Sequence, residues 1–173
     1  MSVVDTLREA GRKVGKALAP DSDNDVDVLD TLKQEHDAVK ALLKQLVDAE
    51  TSASRKALLK KIKAALVPHE RAEEKVVYNA IIALKGKEPK VNGEEGYIEH
   101  SLGDRTLTNL TKISNAMSPE FTAGAKVLKE LIEHHVEEEE RNVWKDVREN
   151  FSSDDRAEMD REFKMAKKKV KVA

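Results

Sequence analysis

All five histidines of the chain, His36, His69, His100, His134 and His135, fall into a twofold pattern of histidine and carboxylate. The first half reads Glu35-His36 and then His69-x-x-x-Glu73. The second reads Glu99-His100 and then His135-x-x-x-Glu139. His36 and His69 are 33 residues apart, His100 and His135 are 35 apart. A His-x-x-x-Glu pair puts both side chains on one face of a helix, a turn apart. Four helices that each bring imidazole or carboxylate to one level are how a bundle builds a metal site in its core. The pattern therefore restricts the fold as much as the chemistry.

The repeat extends beyond the histidines. Leu66 and Ile132 stand three residues before His69 and His135, and Ile62 and Leu128 stand seven before. Tyr78 and Trp144 follow nine residues after, Ile81 and Val147 twelve after. The two halves read as copies of one helical hairpin.

Periodicity and end signals divide the chain. Val3, Val4, Leu7, Val14 and Leu18 predict a short amphipathic helix over 2–19, closed by Pro20 and followed by an acidic linker. Residues 27–49 form a first bundle helix and 53–84 a second, with a kink expected at Pro68. KGKEPKVNGEEG reads as the longest loop, so a third helix is expected from about 94 to 116. Ser118-Pro119 starts a fourth, running to about 149. Ser152 or Ser153 caps a last helix to about 169. The expected class is all-α: an up-down-up-down four-helix bundle over 27–150, flanked by an N-terminal segment, 1–26, and a C-terminal helix with a basic tail, 151–173. Distances from the connecting turns test this layout. At 1.5 Å per residue, His36, His69, His100 and His135 all lie roughly 20–25 Å from their turns, within about one helical turn of a common level.

Composition narrows the chemistry. There is no cysteine, so any metal must be held by nitrogen and oxygen, a donor set that suits iron or manganese and, less specifically, zinc. A net charge of −2 gives no general drive toward nucleic acid or membrane. The lysines near the C-terminus (Lys164, Lys167, Lys168, Lys169, Lys171) read as a solvated face, so no nucleic-acid partner is expected. No apolar stretch is long enough to span a membrane and the first residues do not resemble a secretory signal, so a cytoplasmic location is expected. Glu-x-x-His, the signature of ferritin-like carboxylate bundles, is absent: the residues three before the histidines are Lys33, Leu66, Tyr97, Leu131 and Ile132. The zinc-protease pattern fails as well, since His69-Glu70 is followed by Arg71, Ala72 and Glu73.

The stretches LKQEHDAVKALLKQL, VPHERAEEKVVYNAI, YIEHSLGDRTLTNL and LIEHHVEEEERNVWKDV resemble the hemerythrin-like proteins of the HHE cation-binding domain family, over about residues 27–150. The resemblance implies a hemerythrin-like bundle around two non-heme iron ions, oxo- or hydroxo-bridged, with an open position for O2, peroxide or NO. The ligands it carries over are His36, His69, Glu73, His100, His135 and Glu139. Oxygen-carrying members have a further histidine one turn before that of the third helix, where this chain has Gly96. Their spacing at the last helix would pick His134 with Glu139, whereas the internal repeat picks His135. Glu70 and Tyr97 are candidates for the missing ligand: related iron-sensing domains place a ligating Glu directly after the second-helix histidine, and Tyr97 shares a face with His100. The implied roles are in oxidative or nitrosative stress, by sensing or detoxification, with peroxide- or NO-directed oxidoreductase activity as one form. The alternatives are an iron sensor or storage bundle that signals to a protein partner, and a metal-free helical scaffold. The terminal helices are the expected contacts for a homodimer or a partner protein.

Overall fold

The computed structural model describes residues 26–172. The helix expected over 2–19 and its acidic linker lie outside the described residues. Seven α-helices follow: α1 (Val28–Asp48), α2 (Ser52–Glu73), α3 (Asn79–Ile82), α4 (Glu88–Lys112), α5 (Pro119–Arg141), α6 (Val143–Asn150) and α7 (Ser153–Lys169). A single π-helical turn, Glu74–Tyr78, joins α2 to α3. No strand occurs among the described residues.

The helix starts follow capping chemistry. Asp27 accepts from the Leu29 amide, Thr51 from Ser54 and Ser118 from Phe121. Ser152 and Asp155 form a reciprocal capping box at the start of α7. Two boundaries depart from expectation. Helix α4 begins at Glu88, about six residues early, with Pro89 in its first turn and Gly93 and Gly96 inside it. These glycines mark close packing: a Cβ at Gly93 would lie 2.5 Å from Ile82 Cγ1, and one at Gly96 2.5 Å from Tyr78 Cζ. The expected fourth helix is interrupted at Asn142, between α5 and α6. Helix α2 runs on through Pro68, and its departure from α geometry comes later, in the π turn.

Helices α1 and α2 form one hairpin; α4 and α5 form the other. Each hairpin packs on its counterpart through α1 against α5 and α2 against α4. Helix α7 lies over α1, α2 and the π turn. The apolar core is split in two. One cluster, built on Leu43, Leu46, Ile62, Leu107, Leu110, Phe121 and Leu128, fills the end near the hairpin turns. Buried Arg55 ties those turns together by donating to the Ala49 and Ala116 carbonyls and to Thr122 Oγ1. The other cluster, with Leu32, Val77, Tyr78, Trp144, Met159 and Phe163, fills the opposite end. The layer of histidines lies between them.

Candidate metal centre

His36 on α1, His69 on α2, His100 on α4 and His135 on α5 are all buried, as are Glu73 and Glu139. The two carboxylates sit between the four imidazoles. One oxygen of Glu73 lies 3.4 Å from His69 Nε2 and 3.5 Å from His100 Nε2. One oxygen of Glu139 lies 3.4 Å from His135 Nε2 and 3.6 Å from His36 Nε2. The rings pair edge to face, His36 with His69 at 5.0 Å and His100 with His135 at 4.7 Å between centroids. Two groups of donor atoms are close enough to share an ion: His36, His69 and Glu73, and Glu73, His100 and His135. Glu73 belongs to both.

Each Nδ1 faces outward onto a different carboxylate. His69 lies 2.9 Å from Glu35, His135 2.7 Å from Glu99, His100 3.1 Å from Glu74 and His36 3.2 Å from Glu140. The carboxylates that precede His36 and His100 in sequence, Glu35 and Glu99, therefore serve a different histidine in space. Glu35 and Glu99 act within their own hairpins, and Glu74 and Glu140 act across to the other. With a cation in place, such partners would fix the tautomer: Nδ1–H would donate outward and leave the Nε2 lone pair to the centre. The residues thus fit a metal. His36 Nε2, Glu73 Oε1 and both oxygens of Glu139 are buried without a hydrogen-bond partner, a costly state that cations would relieve.

The charges are as unequal as the space is tight. Burial alone would lower His69 and His100, but Glu73 with Glu35, and Glu73 with Glu74, outweigh it and raise both to about 9. Burial and the neighbouring His69 hold His36 down at about 3. Burial opposes ionisation of Glu73, yet His69 and His100 bring it well below the ordinary range; burial and the charge of Glu73 push Glu139 well above it.

Tyr78 enters the site although the sequence pointed to Tyr97. Its ring is fully buried and its hydroxyl lies 3.2 Å from His100 Nε2 and 3.4 Å from Glu73. Tyr97 is not brought to the centre; its hydroxyl meets the Glu74 carbonyl and Asn79 Oδ1, both at 3.1 Å. His134 is also outside, with a side chain 67% exposed and 3.9 Å from Glu99. Glu70 is buried, and one of its oxygens has no hydrogen-bond partner. It lines a small cavity over the four imidazoles, whose other walls are Val39, Leu66, Ile132 and Val136. Burial raises Glu70 to about 8. The repeat could have flagged Tyr78, because its counterpart Trp144 also reaches the layer, stacked on His36 at 5.8 Å.

The hemerythrin HHE cation-binding domain model matches residues 27–145. The chain belongs to that family. Among curated proteins it is similar to a protein described as a DNA nickase from Nostoc sp. (strain PCC 7120 / SAG 25.82 / UTEX 2576), 28% identical over 169 residues. That match covers 97% of this chain and 47% of the relative, so the chain spans about half the length of the protein it matches. No solved structure gives a significant match. The family, the all-helical bundle and the buried histidine–glutamate clusters agree on a cation site in this HHE domain.

Proposed function

We propose that this HHE domain holds two iron ions and binds or reacts with O2, peroxide or NO. His36 and His69 would hold one ion and His100 and His135 the other, with Glu73 and Glu139 as the carboxylates available to both. The observation that supports this reading is the convergence of four buried imidazoles and two buried carboxylates on one layer, where His36 Nε2, one oxygen of Glu73 and both oxygens of Glu139 have no hydrogen-bond partner. A purely structural bundle would leave those groups uncompensated. Manganese or zinc are the less suited occupants of the same donors. A bound iron pair would supply one-electron chemistry toward a small oxidant or NO.

The chain's own residues supply the rest. Tyr78 offers a phenol oxygen on the His100 side, where oxygen-carrying relatives have one more histidine. Val39, Leu66, Ile132 and Val136 keep bulk water from the open face and admit small apolar molecules. Glu70 stands in that cavity as a hydrogen-bonding acid or a further ligand. Elemental analysis of protein expressed with ample iron tests the proposal. About two irons per chain, lost when Glu73→Gln and Glu139→Gln are combined, is the expected result; iron-free protein overturns it.

A second reading, an iron sensor, is favoured by the contact of α7 with the site. Phe163 packs edge-on against His69 at 5.7 Å, and Lys167 donates to Glu35, the carboxylate behind His69. Loading would then order α7, and limited proteolysis would cut α7 faster in the metal-free chain. Equal cleavage of both forms counts against it. Strand cutting, suggested by the description of the Nostoc relative, finds less support: the donors are buried beneath apolar or acidic walls that suit a polyanion poorly. Incubation of the iron- and manganese-loaded chain with supercoiled plasmid tests it directly.

A further inference from the structure

Every donor of the centre is buried, so a cation needs a path to it. Among the described residues, one depression on the Glu70 side and another between α4 and α5 reach the imidazole layer, and they differ in chemistry. The cavity beside Glu70 has four aliphatic walls, Val39, Leu66, Ile132 and Val136, and beyond the single carboxylate of Glu70 it offers an entering hydrated cation little to replace its water before the imidazoles are reached. The guanidinium of Arg71 lies 3.3 Å from Glu70 and also pairs with Glu74 and Asp104, so one oxygen of Glu70 already has a cationic partner.

The second depression lies between α4 and α5 and is acidic. Glu95 and Glu99, one turn apart, form one wall, and Glu138 stands on the other. Asn92 and Asn142 add neutral oxygen donors. The floor is His135 and Glu139. Glu139 is 2% exposed, and neither of its oxygens has a hydrogen-bond partner. Glu99 spends one oxygen on His135 and Glu138 is held by Arg141 and Asn142, while Glu95 is exposed at the mouth. The local balance remains negative. Carboxylates arranged this way concentrate cations and hand them inward, with an unsatisfied carboxylate at the end.

We infer that the cleft lined by Glu95, Glu99 and Glu138 is the path by which divalent cations reach Glu139 and His135, separate from the apolar cavity on the Glu70 side. This rests on the metal reading above and adds to it a route and the residues that form it. The two openings would then divide their traffic by charge: cations through the cleft, small uncharged molecules through the cavity.

The test is the rate of cobalt(II) uptake by the metal-free chain, followed by fluorescence of Trp144. It is the sole tryptophan and is stacked on His36. The expected result for Glu95→Gln with Glu138→Gln is a roughly tenfold or greater fall in uptake rate, a weaker dependence on ionic strength, and the same final cobalt content as wild type. Asn92→Lys, which adds a positive charge and removes no carboxylate, should slow uptake too. Unchanged rates in both variants overturn the route. A lower final cobalt content in the double variant overturns it as well, since those residues would then hold the ion rather than pass it. A wild-type chain that takes up no cobalt fails differently and sinks the metal reading itself.

Discussion

The Tyr78 ring occupies the space that a side chain at Gly96 would need: a Cβ there would lie 2.5 Å from Cζ and 2.9 Å from the hydroxyl oxygen. The residue missing from the third helix and the aromatic residue on the second are therefore one adjustment. Gly96→Ala should cost about 1–3 kcal/mol, since the ring has no free space into which to retreat. Gly96→Ala combined with Tyr78→Leu should cost less than the two single changes added together. Denaturant unfolding of the three variants checks this; strict additivity would mean the contact is not tight.

The hydroxyl of Tyr78 gives a spectroscopic prediction. If it binds the iron on the His100 side, ferric protein should show the visible absorption of a phenol oxygen on iron. Tyr78→Phe should lose that band while retaining most of its iron. Tyr97→Phe should leave the spectrum unchanged, because its hydroxyl is engaged at Glu74 and Asn79.

Protons and cations compete for the same atoms. His69 and His100, at about 9, are charged at neutral pH in the metal-free chain. Their raised values stabilise the fold fully below the ordinary 6.5, and that stabilisation is lost as pH rises through 9. Glu70, at about 8, acts in the same window: keeping it neutral costs stability that accrues as pH rises from 4.5 to 8. His36 acts oppositely. Held at about 3, it penalises the folded state as pH falls below 6.5. Metal-free protein should thus weaken between pH 6.5 and 9, while metal affinity grows over the same range. Loading at pH 7 should release at least two protons per chain, measured with an indicator dye in weak buffer; release of none would contradict the protonated pair.

The outer carboxylates should matter nearly as much as the ligands. Glu35→Gln or Glu99→Gln replaces the charged acceptor that orients His69 or His135 with a neutral amide, which can also turn its NH2 toward the ring. A loss of roughly 10–100-fold in metal affinity is expected for either change. Competition with a chelator measures it. Glu133→Gln, a surface replacement at a residue paired with Lys129, is the control.

The histidine spacing predicts one level for His36, His69, His100 and His135, and the four rings do share a layer, because both the helical rise and the hairpin turns are legible in sequence. It also separated His135 from exposed His134. The start of α4 was misplaced because Gly93 and Gly96 read as helix breakers, when they mark approach to Ile82 and Tyr78. Tyr97, which shares a face with His100, is the tyrosine the sequence offers to the site, and Tyr78 does not stand out beside it. On a regular α-helix, residues five apart do not share a face, so Tyr78 would turn away from Glu73. The π turn at Glu74–Tyr78, with its i to i+5 repeat, brings them together. The break at Asn142 falls at the corresponding point of the second hairpin, just before Trp144. Neither irregularity leaves a mark in the hydrophobic pattern. The pairing of Glu35 with His69, rather than with its neighbour His36, was equally hidden, because it depends on helix rotation.

The crossed bracing of His100 by Glu74 and of His36 by Glu140 makes each hairpin the finishing piece of the other. A chain built from two such halves could descend from a shorter ancestor that met its own copy face to face. Once both copies were joined in one polypeptide, they were free to drift apart. Glu70 now stands where the other half has Val136, and Tyr78 where it has Trp144. The two halves share a frame, and it is at the centre that they differ in chemistry.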